Sequence, residues 1–473
     1  MIPMTLAEIA DVVDGEVVGD ASVTVAGPAF HDNREPAGGG LFVAITGERV
    51  DGHDFAEAAV AAGAVGVLGT RPTPAPTVVV DDIVQALARL ARHVVDVVRP
   101  TVLALTGSQG KTGTKDYLAH VLAGVGETVA TRGNLNNELG VPLTVLRCTA
   151  ETEYLVVEMG ARGVGHIAAL CRIAPPDVAA VLNIGTAHLG EFGTQEAIAR
   201  TKREIVEALT ADGTAVLNAG DDLVMAMREH TSARVVTFGE HGDLSWRGVE
   251  LDDLGRPSFG LGHAGEWHPV TLRQSGAHQV PNAAAAVATA VAAGVDLGLC
   301  ARALASAEPA SRWRMEVHER PDGVVVVNDA YNANPASMVA AIDALVAIGG
   351  RRGLLKAAVL GEMLELGAAH DEEHERVGRY AAERGIDVVV AVGDRAAGIV
   401  RGAAAVPQWQ GTPVTPAGRD EALAWVRKNV ATADEAAGAT GWVVLVKASR
   451  GAALESVAEG LMSDVLEEEE GSR

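Results

Sequence analysis

Aromatic side chains are scarce in this chain, at 3% of 473 residues, although 48% are hydrophobic. Its cores must therefore pack from Ala, Val and Leu. Cysteine is sparse too: Cys148, Cys171 and Cys300 are three in number and lack any CxxC spacing. That pattern suggests neither a disulfide framework nor a thiolate zinc site. Positive charge is in deficit, with 38 Lys and Arg against 62 Asp and Glu, a net charge of −24. Nucleic-acid backbones need clustered cations, so no nucleic-acid partner is expected; a local site for a phosphate-bearing substrate remains compatible with an acidic protein. No apolar run is long enough for a membrane span, since Val280–Gly294 carries Pro281 and Asn282. The start, MIPMTLAEIADVVDG, has no basic segment ahead of an apolar one. No secretion signal is expected, and the cytoplasm is the default compartment.

What the chain does contain is a strand–helix rhythm. Its length suggests two to four domains, and we divide it at 1–99, 100–311 and 312–473. The first unit mixes short helices and strands and ends on a helix over Val84–Val98. The second alternates continuously apolar strands, Thr101–Leu105, Tyr154–Glu158 and Val178–Ile184, with helices such as Gln195–Leu209. Runs like these read as buried parallel strands. Residues 242–275 read as an inserted antiparallel piece, and an alanine-rich helix follows Pro281. The third unit repeats the pattern from Gly323–Asn328 to Trp442–Val446, implying a second, smaller parallel sheet. The run Glu467–Glu470 reads as a solvated end. The fold class expected is α/β.

The most informative stretch is Ala104–Thr114, ALTGSQGKTGT, an apolar strand turning through glycines into lysine and threonine. Gly107 and Gly110 permit a tight turn that faces backbone N–H groups, with those of Ser108 and Gly113, toward phosphates. Lys111 supplies a point charge for the β/γ-phosphates and Thr112 a hydroxyl for Mg²⁺. A helix starting near Thr112 adds its positive end. The spacing departs from the common phosphate loop, because Leu105 stands where the first glycine belongs. An ordinary strand–helix turn is the plain alternative.

Further polar groups sit where strands end. Asn134, Asn136 and Asn137 lie in GNLNNELGVP, which alone also reads as a turn. Glu158 closes the strand LVVE. Strand C-termini of an open parallel sheet converge on the ligand crevice, so this carboxylate is a candidate for hard Mg²⁺. His188, in NIGTAHLGEFG, leaves a third strand and could complete a metal site or meet a phosphate. Lys202 lies in RTKRE, where a charged helix face is the simple account. Asn282 opens the alanine helix, as a cap or a reader of a base edge. Asp329, with Tyr331, Asn332 and Asn334, joins a strand to a helix; Asn334 or Ser337 could cap that helix. Lys447 and Arg450 leave the last strong strand, as an anion site or a surface pair.

These motifs, in this order, resemble the Mur ligases of bacterial cell-wall synthesis, over essentially the whole chain. The resemblance rests on TGSQGKT at 106–112, GNLNNELGVP at 133–142, EMGARGVGHI at 158–167 and NIGTAHLGEFG at 183–193. It continues in NDAYNANPASM at 328–338, GEMLELG at 361–367 and LVKASRGAA at 445–453. It implies an N-terminal domain for a uridine nucleotide, a central ATPase domain and a C-terminal Rossmann-like domain for the incoming acceptor. Asp32, Asn33 and Arg34 then match the UDP-contacting pattern, with Phe42 and Asp51-Gly52-His53 nearby; most relatives carry serine where Asn33 stands. Lys111 and Thr112 match the ATP and Mg²⁺ positions, and Glu158 and His188 the ligands of a second Mg²⁺. Lys202 matches a lysine that relatives carry as a carbamate. Asn282 and Arg314 match nucleotide contacts, Asp329 an interdomain ribose or metal contact. Asn332, Asn334, Lys447 and Arg450 match groups placing the acceptor or the closing domain.

DAYNANP selects among family members. The diaminopimelate- or lysine-adding relatives carry Asp-Asn-Pro-Arg, and that tetrapeptide is absent from this sequence. The resemblance thus implies D-Ala-D-Ala as acceptor and UDP-N-acetylmuramoyl-tripeptide as donor, joined through an acyl phosphate; a monomer is expected. A relative adding a different residue remains open, as does a phosphate-loop NTPase or kinase without ligase activity. Folylpolyglutamate synthase shares the loop logic, but the pattern at 32–53 speaks against it.

Overall fold

The computed structural model describes residues 1–47, 50–185, 192, 194–430 and 441–470, the last seven of these by backbone alone. Seven strands belong to the first part of the chain: β1 (Met4–Thr5), β2 (Glu16–Val18), β3 (Thr24–Val25), β4 (Ala29–Phe30), β5 (Leu41–Val43), β6 (Gly66–Gly69) and β7 (Thr77–Val79). β1 and β3 form an antiparallel pair, and the rest a sheet in the order β2-β7-β6-β5-β4. The helix Ile83–Val98 starts at Asp82, whose carboxylate accepts from the N–H groups of Val84 and Gln85. Its apolar stripe, from Ile83 through Leu87 and Leu90 to Val94, shares one core with Val102, Leu155 and Ile167 of the next unit.

The central sheet has nine strands: β8 (Thr101–Thr106), β9 (Thr128–Ala130), β10 (Tyr154–Glu158), β11 (Val178–Val181), β12 (Thr214–Asn218), β13 (Arg234–Phe238), β14 (Leu244–Leu251), β15 (Pro257–His263) and β16 (Glu266–Thr271). Their order is β16-β15-β14-β13-β12-β11-β8-β10-β9. The strands from β8 to β13 run parallel, and β14–β16 add antiparallel hairpins. The 242–275 segment is the antiparallel piece expected, and it joins the same sheet through the pairing of β14 with β13. Continuation beyond β8 goes to either side, β10 on one and β11 on the other, so the loop after β8 opens at a topological switch point. Behind it packs the alanine-rich helix Gln279–Ala292, whose small side chains let it lie close to the helix Lys111–Ala123.

A six-stranded sheet follows: β17 (Glu316–Glu319), β18 (Val325–Asn328), β19 (Leu355–Leu360), β20 (Val388–Ala391), β21 (Thr412–Val414) and β22 (Trp442–Lys447). The order is β17-β18-β22-β19-β20-β21, parallel except for β17. The C-terminal ends of β18, β19 and β22 face those of β8 and β10 across one cleft. The chain's acidic end continues the final helix, Glu455–Glu470. Among the described residues no helix is long and apolar enough to cross a membrane, and Cys148, Cys171 and Cys300 are buried free thiols.

Candidate active site

The cleft encloses about 1580 Å³. Ligand pockets commonly hold about 300–1,000 Å³, so this one has room for two reactants. Its floor is the turn after β8. Gly110 has φ +78 and caps the helix Lys111–Ala123. A Cβ there would lie 2.4 Å from the Asn282 Oδ1, so glycine is required for both backbone and space. Gly107 differs from the expectation: its constraint is packing, a Cβ meeting that of Leu182 at 2.8 Å, and it does not line the cleft.

Asn183 holds this turn in shape. Its Oδ1 accepts from the Ser108 and Gln109 N–H groups at 3.0 Å each, and its Nδ2 donates to the Gln109 carbonyl at 3.1 Å. The Ser108 hydroxyl in turn accepts from Gly185 N–H at 2.9 Å. Lys111 reaches back to donate to the Gly107 carbonyl at 2.7 Å. Desolvation lowers its pKa, Glu158 opposes that shift, and the Arg314 charge adds to it.

Glu158 is 1% exposed and ends β10 opposite Leu105. Its Oε2 accepts from the Thr112 hydroxyl at 3.0 Å and its Oε1 from Asn136 Nδ2 at 2.7 Å. A buried carboxylate is tolerable only when so satisfied. Asn136 thus orients the acid, and Gly160 makes room for its amide, a Cβ there lying 2.7 Å away. Asn134 and Asn137 line the same wall.

Lys202 overturns the charged-face account. It is 7% exposed, on the inner side of the helix Gln195–Glu207, and lines the cleft. Burial, reinforced by the Lys111 charge, drives its pKa well below the usual lysine value. Two residues on, buried Glu204 accepts from the N–H groups of Gly165 and Ala168 at 2.6 and 2.9 Å. His188 lies outside the described residues. Among the described residues no cluster of three or more His, Cys, Asp or Glu is placed to hold a metal.

The far wall comes from the third unit. Asp329, just after β18, accepts from Lys447 Nζ at 2.6 Å and from the Met315 N–H at 3.1 Å. Lys447 also donates to the Asn332 carbonyl at 2.8 Å and is 2% exposed, so its charge is neutralised internally rather than offered freely to an anion. Arg314 stacks over the Tyr331 ring at 4.1 Å; Arg450 stands 4.7 Å from the Trp313 ring and 5.4 Å from that of Tyr331. The Arg314 Nε is buried with no partner. Asn334 caps the helix Pro335–Arg352, its Oδ1 accepting from Ser337 N–H at 2.9 Å, so its place at the cleft edge is set by the cap. Partly exposed His278 faces this group; burial lowers its pKa, against Asp329 and with Lys447.

Not every expected residue meets here. Asp32, Asn33 and Arg34 stand away from the cleft, and Arg34 pairs with Asp32 at 2.6 Å, which holds that carboxyl down at about 2. Phe42 is a core residue stacked 5.6 Å from Phe30. His53 is buried against Asp51 at 2.5 Å. Asn282 is neither a cap nor remote: it lies in the first turn of its helix, against Gly110, and its Nδ2 donates to Gln279 Oε1 at 3.3 Å. Sequence reasoning named the motif containing Asn183 without its role and missed Glu204. Glu204 carried no local signal, because it follows Lys202 and Arg203 in a charged run.

A glycine turn holding lysine and threonine at a switch point, an acid beside the threonine, and a second sheet closing from above define an ATP-dependent ligase site. Residues 31–104 match the Mur ligase family catalytic domain, 105–290 the Mur ligase middle domain and 313–450 the Mur ligase glutamate ligase domain. The chain belongs to the Mur ligase family. It is 43% identical to UDP-N-acetylmuramoyl-tripeptide–D-alanyl-D-alanine ligase of Mycobacterium tuberculosis and 34% to that of Escherichia coli; 98% of this chain is covered in each, and 98% and 99% of the relative. Crystal structure I of MurF from Acinetobacter baumannii superposes with a TM-score of 0.85 at 34% identity, covering 98% of this chain and 99% of that one. MurF ligase from Thermotoga maritima in complex with ADP gives 0.76 at 31% identity, covering 93% and 98%.

Proposed function

We infer that this enzyme joins D-alanyl-D-alanine to UDP-N-acetylmuramoyl-tripeptide at the expense of ATP, in peptidoglycan precursor synthesis. The observation that carries the reading is the convergence of Lys111, Thr112 and Glu158 with Asp329, Lys447 and Arg450 in one cleft, on a chain that matches D-Ala-D-Ala-adding relatives end to end. A carboxylate is a poor acylating agent until its oxygen becomes a good leaving group. Transfer of the γ-phosphoryl group gives an acyl phosphate; the acceptor amine attacks its carbonyl, and the tetrahedral intermediate expels phosphate. Lys111 offsets charge where two anions meet. We assign residues 1–99 to the uridine nucleotide, through Asp32, Asn33 and Arg34, residues 100–311 to ATP, and residues 312–473 to the acceptor. We propose a monomer, and its ATP dependence suits the cytoplasm.

Mg²⁺ fits the donors. Thr112 and Glu158 present oxygen atoms, and Mg²⁺ favours one or two carboxylates with phosphates and retained waters. Thr112, Glu158 and the undescribed His188 are the proposed holders of two ions. Bound there, the metal supplies charge neutralisation along the phosphates. Lys202 is proposed to add its neutral amine to CO₂: an N–C bond forms, a proton leaves to solvent, and a carbamate anion remains for the metal. Its burial supports this, because only the uncharged amine reacts. Lys202→Ala is expected to lose activity and to recover part of it with short carboxylic acids; full activity without them refutes the modification. The overall reading is tested by incubating the chain with UDP-N-acetylmuramoyl-tripeptide, ATP, Mg²⁺ and D-Ala-D-Ala and weighing the product. ATP hydrolysis with no amide, or an amide formed only with another amino acid, overturns it.

A further inference from the structure

Lys202 reaches the cleft without a tether of its own. Its side chain lines the cavity, and the residue is 7% exposed. Among the described residues no hydrogen bond or ion pair holds its amine, and the Lys111 charge repels it. Its direction is therefore set by the helix that carries it, Gln195–Glu207. That helix packs through Ile198, Thr201, Ile205 and Val206, all buried. Apolar packing is non-directional, so by itself it leaves a helix able to roll or slide slightly. A fixed rotation needs a directional bond.

Glu204 supplies two. It is buried and does not line the cleft. Residues two apart on a helix project about 200° apart, so Glu204 leaves the side of the helix away from Lys202. Its Oε1 accepts from Gly165 N–H at 2.6 Å and its Oε2 from Ala168 N–H at 2.9 Å. Gly165 is the cap of the helix His166–Ile173, which has no side-chain cap of its own. A carboxylate there meets the positive end of the helix and its orphan N–H groups, and bonds to an ionised acceptor are about twice as strong as neutral ones. Two bonds from one rigid plane fix both the roll and the axial register of the Lys202 helix. The helix they engage follows the segment that leaves Glu158, where Gly160 N–H donates to the Asn136 carbonyl at 2.8 Å. Glu158 and Lys202 are thus registered to one another through Glu204.

We propose that Glu204 is a positioning residue for Lys202: by gripping the first turn of the helix His166–Ile173, it fixes the rotation that aims Lys202 into the cleft. It acts through Lys202 and touches no reacting atom. The proposal rests on the reading of Lys202 as a carbamate, so the test carries a separate control for that reading.

Glu204→Gln keeps the shape but turns one acceptor into an N–H group that opposes a backbone N–H. In the full chain with ADP and Mg²⁺, NMR with ¹³C-bicarbonate reads the carbamate as a signal that Lys202→Ala lacks. Glu204→Gln is expected to lower that signal at least threefold at equal CO₂. It should lower kcat for amide at least about tenfold, with KM for ATP within about threefold. In a Lys202→Ala background, with short carboxylic acids present, adding Glu204→Gln is expected to change kcat less than about threefold, because residues acting as a unit are not additive. Glu207→Gln, which frees Arg203 on the exposed side of the same helix, should leave signal and kcat unchanged. An undiminished signal in Glu204→Gln, or kcat within threefold of normal, overturns the proposal. So does an equal loss of kcat in both backgrounds, which marks a merely structural role, or the same losses in Glu207→Gln. If Glu204→Gln does not unfold cooperatively in urea, Glu204→Asp, one methylene too short to bond both N–H groups, is judged by the same limits. No signal in the unsubstituted enzyme refutes the carbamate itself, and the proposal falls with it.

Discussion

Gly110→Ala, set against Gly165→Ala, isolates what the phosphate turn demands of its backbone. Both glycines precede a helix, Gly110 at φ +78 and Gly165 at φ +88. Alanine in either place carries the left-handed penalty of about 1–2 kcal/mol. They differ in their surroundings: a Cβ at Gly165 meets nothing within 4 Å, whereas at Gly110 it lies 2.4 Å from Asn282 Oδ1. That amide must turn aside to at least 3.0 Å, giving up its bond to Gln279. Overpacking of this kind adds about 1–3 kcal/mol. Gly110→Ala should therefore destabilise by about 2–5 kcal/mol, and Gly165→Ala by the smaller figure alone. Displacements below 1 Å at a reacting group cost up to about a hundredfold, so kcat/KM for ATP should fall about ten- to a hundredfold in Gly110→Ala and less than threefold in Gly165→Ala. Urea unfolding and initial rates over an ATP series measure both. Equal destabilisation of the two variants with unchanged kcat/KM for ATP in Gly110→Ala would refute the argument.

Glu158→Gln keeps the shape of the buried acid and removes its charge. Because the carboxylate accepts from Thr112 and Asn136 and faces Lys111, kcat should drop about a hundred- to a thousandfold with the fold retained; a rate within threefold contradicts a catalytic role. His374 gives a pH signature. Burial holds its pKa below the usual histidine value, its Nδ1–H donates to the His370 carbonyl and its Nε2 accepts from Met363. The unfolded chain therefore takes up a proton first as pH falls. Stability is fully present above about pH 6.5 and declines below it, until the folded pKa is passed. The urea midpoint should fall between pH 7 and pH 5, more steeply than in His374→Gln; identical slopes remove His374 as the cause.

Strands buried on both faces were the most legible part of the chain. Tyr154–Glu158 reads the same in sequence and structure because a continuous apolar run ending in a carboxylate has few other solutions. The phosphate turn was legible for a similar reason, each residue type having one job. Lys202 was marked only by the family resemblance and Glu204 not at all, since a buried amine and acid on a charged helix look like a solvated face until the helix is docked. The helix Arg419–Val430 passed unrecognised, as its apolar residues form one short run, 422–426, between charged ends and show no helical spacing.

Asp329 also clasps the backbone of Met315, in the linker where Trp313 and Met315 both hold left-handed conformations. One oxygen secures a joint between two folding units while the other secures the cation below it. A molecule that drew that carboxyl group away from Met315 would free the linker backbone there, so the crevice lining and the joint share the same few atoms.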